Sequence, residues 1–380
     1  TGVQTCALPI LLMILIVISS FTGCWDSEDV NKKSFILSTG LDKVGDNVEG
    51  TGESTEFVGF TGEKGTQSQQ QNLFHYSGIG KDAESARLNI EQEASHNFYL
   101  GETRVVVFGK SYAEDGILSY LNRIDSTYDY RKTPLIVVSR EPAKQILNYP
   151  SKRSLSTGFF IEDSINILTK NSTAIYTNTK DMLFFRNNKG VGFFIPYIGI
   201  EKESIRYLGL GVIKNFKLVD IIKFQDTDGI LYLLNAKPAL EEIISLKDDK
   251  NKYIFKVAVK KRNVTTDYSN QKVIINIDLN LSTSLQCQYK MEPISKQLNK
   301  ELENKISEKV KKDIVDIINK SQNAYGCDTF EFIKYFRAQN PIIYKKIKWE
   351  DKYTSAKVNV NVKTKIINTD LKDSNAKSKM

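Results

Sequence analysis

The sequence is poor in the residues that build most catalytic and metal sites. Its 380 residues include two histidines, His75 and His96, and four cysteines. Two histidines so far apart match no zinc-site spacing, and no CxxC pair is present. The motifs GxSxG and HExxH and the Walker A phosphate loop are also missing. We therefore expect no metal site, no cofactor and no enzyme activity.

Charge is missing from the first 23 residues, and the longest apolar run is short. The run covers residues 10–18, fewer than the roughly 20 residues of a bilayer-spanning helix. Small and polar residues follow it, ending in Gly23 and Cys24. This order predicts a lipoprotein signal peptide over residues 1–23, with a diacylglycerol on the thiol of Cys24. A transmembrane helix is the alternative.

Two features of this leader depart from the usual pattern. Phe21 stands where such cleavage sites usually carry leucine, and no lysine or arginine precedes the apolar run. Residues 1–10 have the character of a truncated or foreign segment, so they are left out of the prediction of the fold.

The formal net charge of +8 lies wholly in the chain after residue 23. Export argues against a nucleic-acid partner, and no basic run with interleaved aromatics is present. Attraction to anionic lipid headgroups is one interpretation of this charge, and evenly solvated charges are the other. For Cys287 and Cys327 we expect two free thiols, with a disulfide as the alternative.

The first half of the chain predicts a sheet with helices. Residues 34–43 predict a strand with residues 56–60 as its partner, and residues 73–78 resume the sheet after a polar loop. Asp82 suits the N-cap of a helix.

Two nearly continuous apolar runs follow, at 103–109 and 134–139. They predict strands covered on both faces, and a helix over 113–124 connects them as a βαβ unit. Pro142 predicts the start of another helix. Residues 190–196 predict an edge strand or a linker, because proline cannot donate to a central ladder.

The second half predicts a hairpin, further strands and one long helix. Residues 208–213 and 217–222 predict the hairpin, and residues 275–285 alternate between apolar and polar side chains. From about 293 to 320, apolar residues recur every four positions at Leu298, Leu302, Ile306, Val310 and Ile314. We expect this stripe to pack on the sheet, and a partner helix from another subunit is the alternative. The predicted fold class is α+β and multi-domain. Mixed or antiparallel sheets would each pack with helices, and the long amphipathic helix would lie between strands near the C-terminus.

Several segments together resemble a known family. They are Cys24-Trp25-Asp26, 40–43, 99–109, the hairpin at 208–222, 327–330, 341–345 and 349–353. In this order they resemble the Ger(x)C family, the lipoprotein C subunits of bacterial spore germinant receptors. The chain departs from the family pattern at Asp220, Ile333, Tyr344 and Asp370, which stand where the family usually has Gly, Gly, Trp and Gly.

The resemblance implies two germination-protein domains, at 24–195 and 205–375, with a further division near 265–272 left open. It implies a lipid-anchored subunit on the outer face of the inner spore membrane, with Cys24 as its lipidation site. The protein would assemble with integral-membrane receptor subunits and act without catalysis, and direct contact with the nutrient is left open. A solute-binding lipoprotein of a transporter and an extracellular hydrolase are the alternatives.

Overall fold

The computed structural model of this chain describes residues 32–56, 73–127, 130–150, 156–186, 190–246, 251–290 and 293–368, together with 13, 154 and 188. Within them, runs of consecutive strands are followed by helices, and the strands form two sheets. The α+β prediction is therefore confirmed.

The first sheet contains nine strands in the order β3-β2-β1-β5-β6-β7-β8-β9, with β4 paired to the start of β1. They are β1 (Lys33–Val44), β2 (Asn47–Glu56), β3 (Leu73–Gly80), β4 (Asn97–Tyr99), β5 (Val105–Gly109), β6 (Leu135–Ser139), β7 (Gly192–Glu201), β8 (Ser204–Lys214) and β9 (Lys217–Lys223). The central strands β1, β5, β6 and β7 run parallel, and antiparallel strands flank them on both sides.

Helices cover both faces of this sheet. They are α1 (Ala83–Glu91), α2 (Lys110–Asp115), α3 (Leu118–Ser126), α4 (Ala143–Leu147), α5 (Thr157–Lys170) and α6 (Thr179–Phe185). Every residue of β5 and β6 is buried, as expected of strands with helices on both sides. Val106 and Phe108 pack with α2 and α3, whereas Val105 and Val107 pack with α4 and α5.

The second sheet has the order β10-β11-β12-β13. Its strands are β10 (Ala239–Ile244), β11 (Tyr253–Ser269), β12 (Lys272–Gln288) and β13 (Lys357–Asn368), and β13 alone runs parallel to its neighbour. The associated helices are α7 (Asp228–Leu234), α8 (Lys296–Lys320), α9 (Phe332–Gln339), α10 (Pro341–Tyr344) and α11 (Trp349–Tyr353).

Helix α8 follows its predicted stripe. Leu302, Ile306, Val310 and Ile314 are fully buried and belong to the same core as the inward residues of β12 and β13. Ser295 caps the helix by accepting a hydrogen bond from the N–H of Leu298. The stripe therefore packs on the second sheet of the same chain.

Residues 325–330 join the two sheets. The N–H of Asp328 donates to the carbonyl of Gly190, and the carbonyl of Asp328 accepts from the N–H of Gly192, the first residue of β7. The Phe330 ring lies 5.8 Å from that of Phe194. Asp220, at one of the departures from the family pattern, accepts a hydrogen bond from the Tyr325 hydroxyl at 2.9 Å. The two sheets thus share one continuous core.

Three predicted elements differ in detail from the observed ones. The strand paired with β1 is β2, whereas the predicted partner over 56–60 lies outside the described residues beyond Glu56. Strand β2 escaped detection because its inner positions are glycines and polar side chains. The helix predicted over 113–124 is two helices, since Gly116 ends α2 with a φ of 139°. Strand β7 as a whole lies between β6 and β8, but its ladder to β6 begins only at Tyr197. Residues 192–196, including Pro196, therefore pair with β8 alone, as the prediction of an edge strand over 190–196 required.

Several other predictions are confirmed, and some fall on residues that the structure does not describe. The buried strands β5 and β6, the hairpin β8–β9 and the N-cap at Asp82 are confirmed. Cys287 is an exposed free thiol and Cys327 a buried one. The leader apart from Met13, the loop over 62–72 and Asp370 lie outside the described residues. The predicted boundary between 195 and 205 falls at the tight turn from β7 to β8, which are adjacent strands of the first sheet.

Three buried carboxylates hold the starts of three helices against the rest of the molecule. Asp42 accepts from the N–H groups of Ala143 at 2.7 Å and Lys144 at 2.9 Å, at the start of α4. Burial raises the pKa of Asp42, while these two N–H groups oppose the rise.

Glu53, on β2, accepts hydrogen bonds from the N–H groups at the start of α5. Its Oε1 accepts from the N–H of Thr157 at 2.7 Å, and its Oε2 accepts from the N–H of Gly158 at 3.0 Å. The hydroxyls of Ser38 and Ser156 donate to Oε2 as well. Free N–H groups at a helix start favour a negative charge, so a fully buried carboxylate is stable here.

Asp328 accepts hydrogen bonds from N–H groups at the start of α9 and just before it. It accepts from the N–H groups of Phe330 at 3.1 Å and Ile333 at 2.8 Å, and from the indole Nε1 of Trp349 at 3.2 Å. Burial raises the pKa of Asp328 to about 6, because desolvation outweighs these donors.

Replacing Glu53 with glutamine should destabilise the protein strongly. The amide would present a donor where the carboxylate accepts, which leaves buried N–H or O–H groups unpaired. We expect Glu53→Gln to lower the free energy of unfolding by about 2–4 kcal/mol in urea denaturation at neutral pH. Glu301→Gln, at an exposed position of α8, is the control and should change stability little. Equal stabilities of the two variants would contradict the role of Glu53.

Asp328 should give the protein a specific pH dependence. The carboxyl titrates near 3.8 when unfolded and near 6 when folded, so the folded state binds more protons between these values. Raising the pH from about 4 to about 6 should therefore lower its contribution to the free energy of unfolding, by at most about 3 kcal/mol. The measurement is the free energy of unfolding of the wild type and of Asp328→Asn across this pH range. The wild-type value minus the variant value should fall as the pH rises and level off above about pH 7. A difference that stays constant with pH would refute the assignment. Asp316→Asn, an exposed control, should follow the wild type.

Candidate functional site

The predicted lipidation site, Cys24, lies outside the described residues. Its lipidation stays a prediction. Lys32 is the first residue of the main described part of the chain, and β1 begins at Lys33. Lys32 stands eight positions after Cys24, so the anchor point can lie at most about 28 Å from it. Among the described residues, no helix combines the length and apolar character that crossing a membrane requires.

A cleft opens close to this entry point, between β1–β3 and the helices α1 and α3. Its deeper part, the inner cleft, is narrow and has about 590 Å³ of empty space, part of it open to solvent. It is lined mainly by apolar and aromatic side chains, which include Ile36, Leu41, Ile90, Phe98, Leu100, Tyr76, Tyr120 and Tyr130.

Glycines shape the floor of the inner cleft. A Cβ at Gly78 would meet the carbonyl oxygen of Ala86 at 2.7 Å, so this glycine lets α1 lie directly on the sheet. At Gly52, beyond the end of the helix, a Cβ would meet Ile36 Cδ1 at 3.9 Å and nothing nearer. The helix therefore covers one part of the floor and leaves the part around Gly52 open.

Two arginines stand at the mouth of the inner cleft, and their charges are already balanced. Arg87 donates to Glu84 at 2.7 Å and also pairs with Glu91. Arg123 pairs with Glu84 and donates to the Tyr130 hydroxyl at 2.9 Å. Its guanidinium also lies over the Tyr130 ring. The mouth is thus polar, and its two arginine charges are matched by the carboxylates of Glu84 and Glu91.

A wider polar space, the outer cavity, continues from this mouth towards the protein surface. It shares Arg87, Phe98, Leu100, Arg123 and Tyr130 with the inner cleft. Its remaining lining is Lys32, Glu91, Ala94, Ser95, His96, Asn97 and Thr127. The two spaces together run from an apolar interior to a polar rim beside the start of β1.

Sequence reasoning did not find this cleft. Its lining comes from residues 32 to 130, on strands, helices and loops that meet only in the folded chain. The glycine-rich segment of β2 between Gly50 and Gly52 is the one local signal, because glycines inside a strand often mark a close approach or an opening.

An acidic cluster lies at a second position, between α7, β10 and α8. Carboxylate oxygens of Asp228, Glu242 and Asp313 lie within 4.8 Å of one another. The Lys309 ammonium already sits among them, 2.6 Å from Glu242 and 2.9 Å from Asp313. Burial alone would lower the pKa of Lys309, but hydrogen bonds to Glu242 and Asp313 raise it. The lysine therefore occupies the place that a cation would take.

Burial and the neighbouring Glu242 raise the pKa of Asp228, in the same cluster, to about 6, although Lys309 opposes the shift. Tyr232 donates to Glu242 at 2.9 Å. The cluster works as an ion network that joins three elements.

The chain matches sequence models of two related domains. Residues 26–200 match the spore germination protein N-terminal domain, and residues 208–370 match the spore germination B3/GerAC-like C-terminal domain. The two matches together span nearly all of the chain after the predicted leader.

Curated relatives agree with these matches. YfkR of Bacillus subtilis (strain 168) is 24% identical over 342 residues, which cover 84% of each chain. Spore germination protein B3 of the same organism is 20% identical over 375 residues, covering 94% of this chain and 96% of that protein. The crystal structure of the GerBC protein is similar in fold, with a TM-score of 0.53 at 17% identity, covering 90% of this chain and all of that one. The chain therefore belongs to the GerAC-like family of spore germination proteins, the Ger(x)C family of germinant-receptor C subunits.

Proposed function

We propose that this protein is the lipid-anchored subunit of a nutrient germinant receptor. The observation that carries the proposal is the match of both germination domains, in order, along one chain. Cys24, at the end of the apolar leader, is the proposed attachment point for the lipid. The folded body would then stand on the outer face of the inner spore membrane.

The protein would act by binding and assembly with integral-membrane receptor subunits, without catalysis. Three buried carboxylates, Asp42, Glu53 and Asp328, support this proposal because each accepts hydrogen bonds from backbone N–H groups and has a structural role. The matches to germination proteins give no support to the transporter alternative.

The anchor can be tested by replacing one cysteine. Cys24→Ala should release the protein into the soluble fraction or leave it unprocessed, because residue 24 then has no thiol to carry the diacylglycerol. Membrane fractionation and the intact mass of the protein are the measurements. Cys287→Ala, at an exposed thiol, is the matched control and should remain membrane-bound. Unchanged extraction and mass of Cys24→Ala would refute lipidation at this residue.

The receptor role can be tested in spores of the source organism. Deletion of the gene should abolish the loss of optical density in response to at least one nutrient. The response to dodecylamine, a non-nutrient germinant, should be kept. A complementing copy should restore the nutrient response. Normal responses to every nutrient, in a strain that lacks the other receptors of this family, would contradict the proposal.

A further inference from the structure

We propose that residues 334–348 form a docking surface for the anionic phospholipid headgroups of the membrane that holds the protein. The inference deepens the proposed function and rests on the membrane location stated there. This stretch, the basic segment, comprises most of α9, all of α10 and the turn before α11. Its contact with the lipid surface would fix how the folded body stands on the membrane.

The charges of the basic segment all have the same sign. The segment carries five basic side chains and no acidic one. Lys334 pairs with Glu331. The other four are exposed, and within the described chain no carboxylate forms an ion pair with them: Arg337, Lys345, Lys346 and Lys348. Because the surface potential of an anionic membrane is negative, each of these cations gains free energy beside it.

An exposed isoleucine stands among these cations. The Ile342 side chain is 71% exposed. Its neighbours turn inward and pack against the core: Ile343, Tyr344 and Ile347. An apolar side chain flanked by lysines suits the membrane interface, where the side chain leaves water and the ammonium groups stay among the phosphates.

Contacts on the inner side of the basic segment hold it in place. The Gln339 side chain accepts from the N–H of Thr266 at 2.6 Å and donates to the carbonyl of Val264 at 3.1 Å, both on β11. The buried rings of Phe336 and Trp349 lie 5.3 Å apart. Ile342 and the lysines therefore project from a fixed base, so that docking requires little further ordering of the chain.

The basic segment ends at the edge of the first sheet where the chain arrives from Cys24. A Cβ at Gly190 would meet Glu350 of α11, so α11 begins beside the N-terminal end of β7. Strand β1 runs parallel to β7 in the same sheet and begins with Lys33 at this edge. The proposed anchor and the basic segment would therefore approach the membrane from the same edge. The anchor would keep even a weakly binding surface at high local concentration beside the lipid.

The test places a fluorescent reporter at the exposed isoleucine. The full lipoprotein with Cys287→Ala and Ile342→Cys is labelled at residue 342 with nitrobenzoxadiazole, whose emission rises when it leaves water. Cys287 is replaced because its thiol is exposed, whereas Cys327 is buried. The labelled protein is reconstituted into vesicles of phosphatidylglycerol or of phosphatidylcholine. We expect stronger emission with phosphatidylglycerol, and loss of this difference in 1 M salt, where the Debye length is about 3 Å.

A reporter at the opposite end of β7 is the matched control. Glu203→Cys, in the exposed turn that follows β7, should give the same emission in both kinds of vesicle. Equal responses at residues 203 and 342 would overturn the proposal. Emission at residue 342 that does not differ between the two lipids would overturn it as well.

Two adjacent lysines provide a charge variant. Lys345→Gln with Lys346→Gln should weaken the contact about fivefold for each cation, or about twentyfold together. The measurement is the emission at residue 342 as the fraction of phosphatidylglycerol is raised. Lys260→Gln with Lys261→Gln removes the same charge from exposed positions of β11 and should leave the emission unchanged. Equal losses in the two double variants would overturn the assignment.

The two proposals fail separately. The intact mass shows whether Cys24 carries the diacylglycerol. If it does not, the anchor proposal fails, while an excess of phosphatidylglycerol vesicles still tests docking from solution. If Cys24 is lipidated and the label at residue 342 does not respond to phosphatidylglycerol, the docking proposal fails alone. A response only in membranes that contain the other receptor subunits would assign the surface to a protein partner and overturn the lipid proposal.

Discussion

The fold depends on hydrogen bonds between buried carboxylates and the free N–H groups at helix starts. Asp42 binds the start of α4 and Glu53 binds the start of α5, each across about 100 residues of sequence. Asp328 binds the start of α9, in the segment that joins the two sheets. Burying a charge costs free energy unless hydrogen-bond donors surround it. A packing that removes some of the donors from one of these carboxylates is therefore strongly unfavourable. Such all-or-none contacts select one packing of helix on sheet, whereas apolar contacts alone tolerate several.

The parts of the fold that depend on local patterns could be predicted from the sequence. Three local patterns show which side chains are buried. They are the apolar runs of β5 and β6, the alternation in β12 and the four-residue spacing in α8. Strand β2 could not be predicted in this way, because its buried groups are glycines, hydroxyls and Glu53. The backbone donors to Glu53 lie about 100 residues further along the chain, so no local pattern around Glu53 marks it as buried.

The candidate site also has one part that the sequence predicts and one part that only the structure reveals. The leader and lipidation site at Cys24 remain predictions, and these predictions rest on one contiguous stretch of sequence. The inner cleft exists only because α1 lies on glycines of β2 and β3 and stops short of Gly52. A cleft defined by where a helix ends, and not by which residues it contains, leaves little trace in a single sequence.

The first sheet has a consequence for how members of this family can recombine. The N-terminal domain match ends at residue 200, in β7, and the C-terminal match begins at 208, in β8. These strands are hydrogen-bonded from Gly192–Lys214 to Glu201–Ser204, so the ladder crosses the boundary between the two matches. A hybrid of two paralogues joined between 200 and 208 would have to form this ladder from strands that never evolved together. A junction after β9, between 224 and 238, would exchange whole sheets, and natural gene exchange within the family should favour crossovers there.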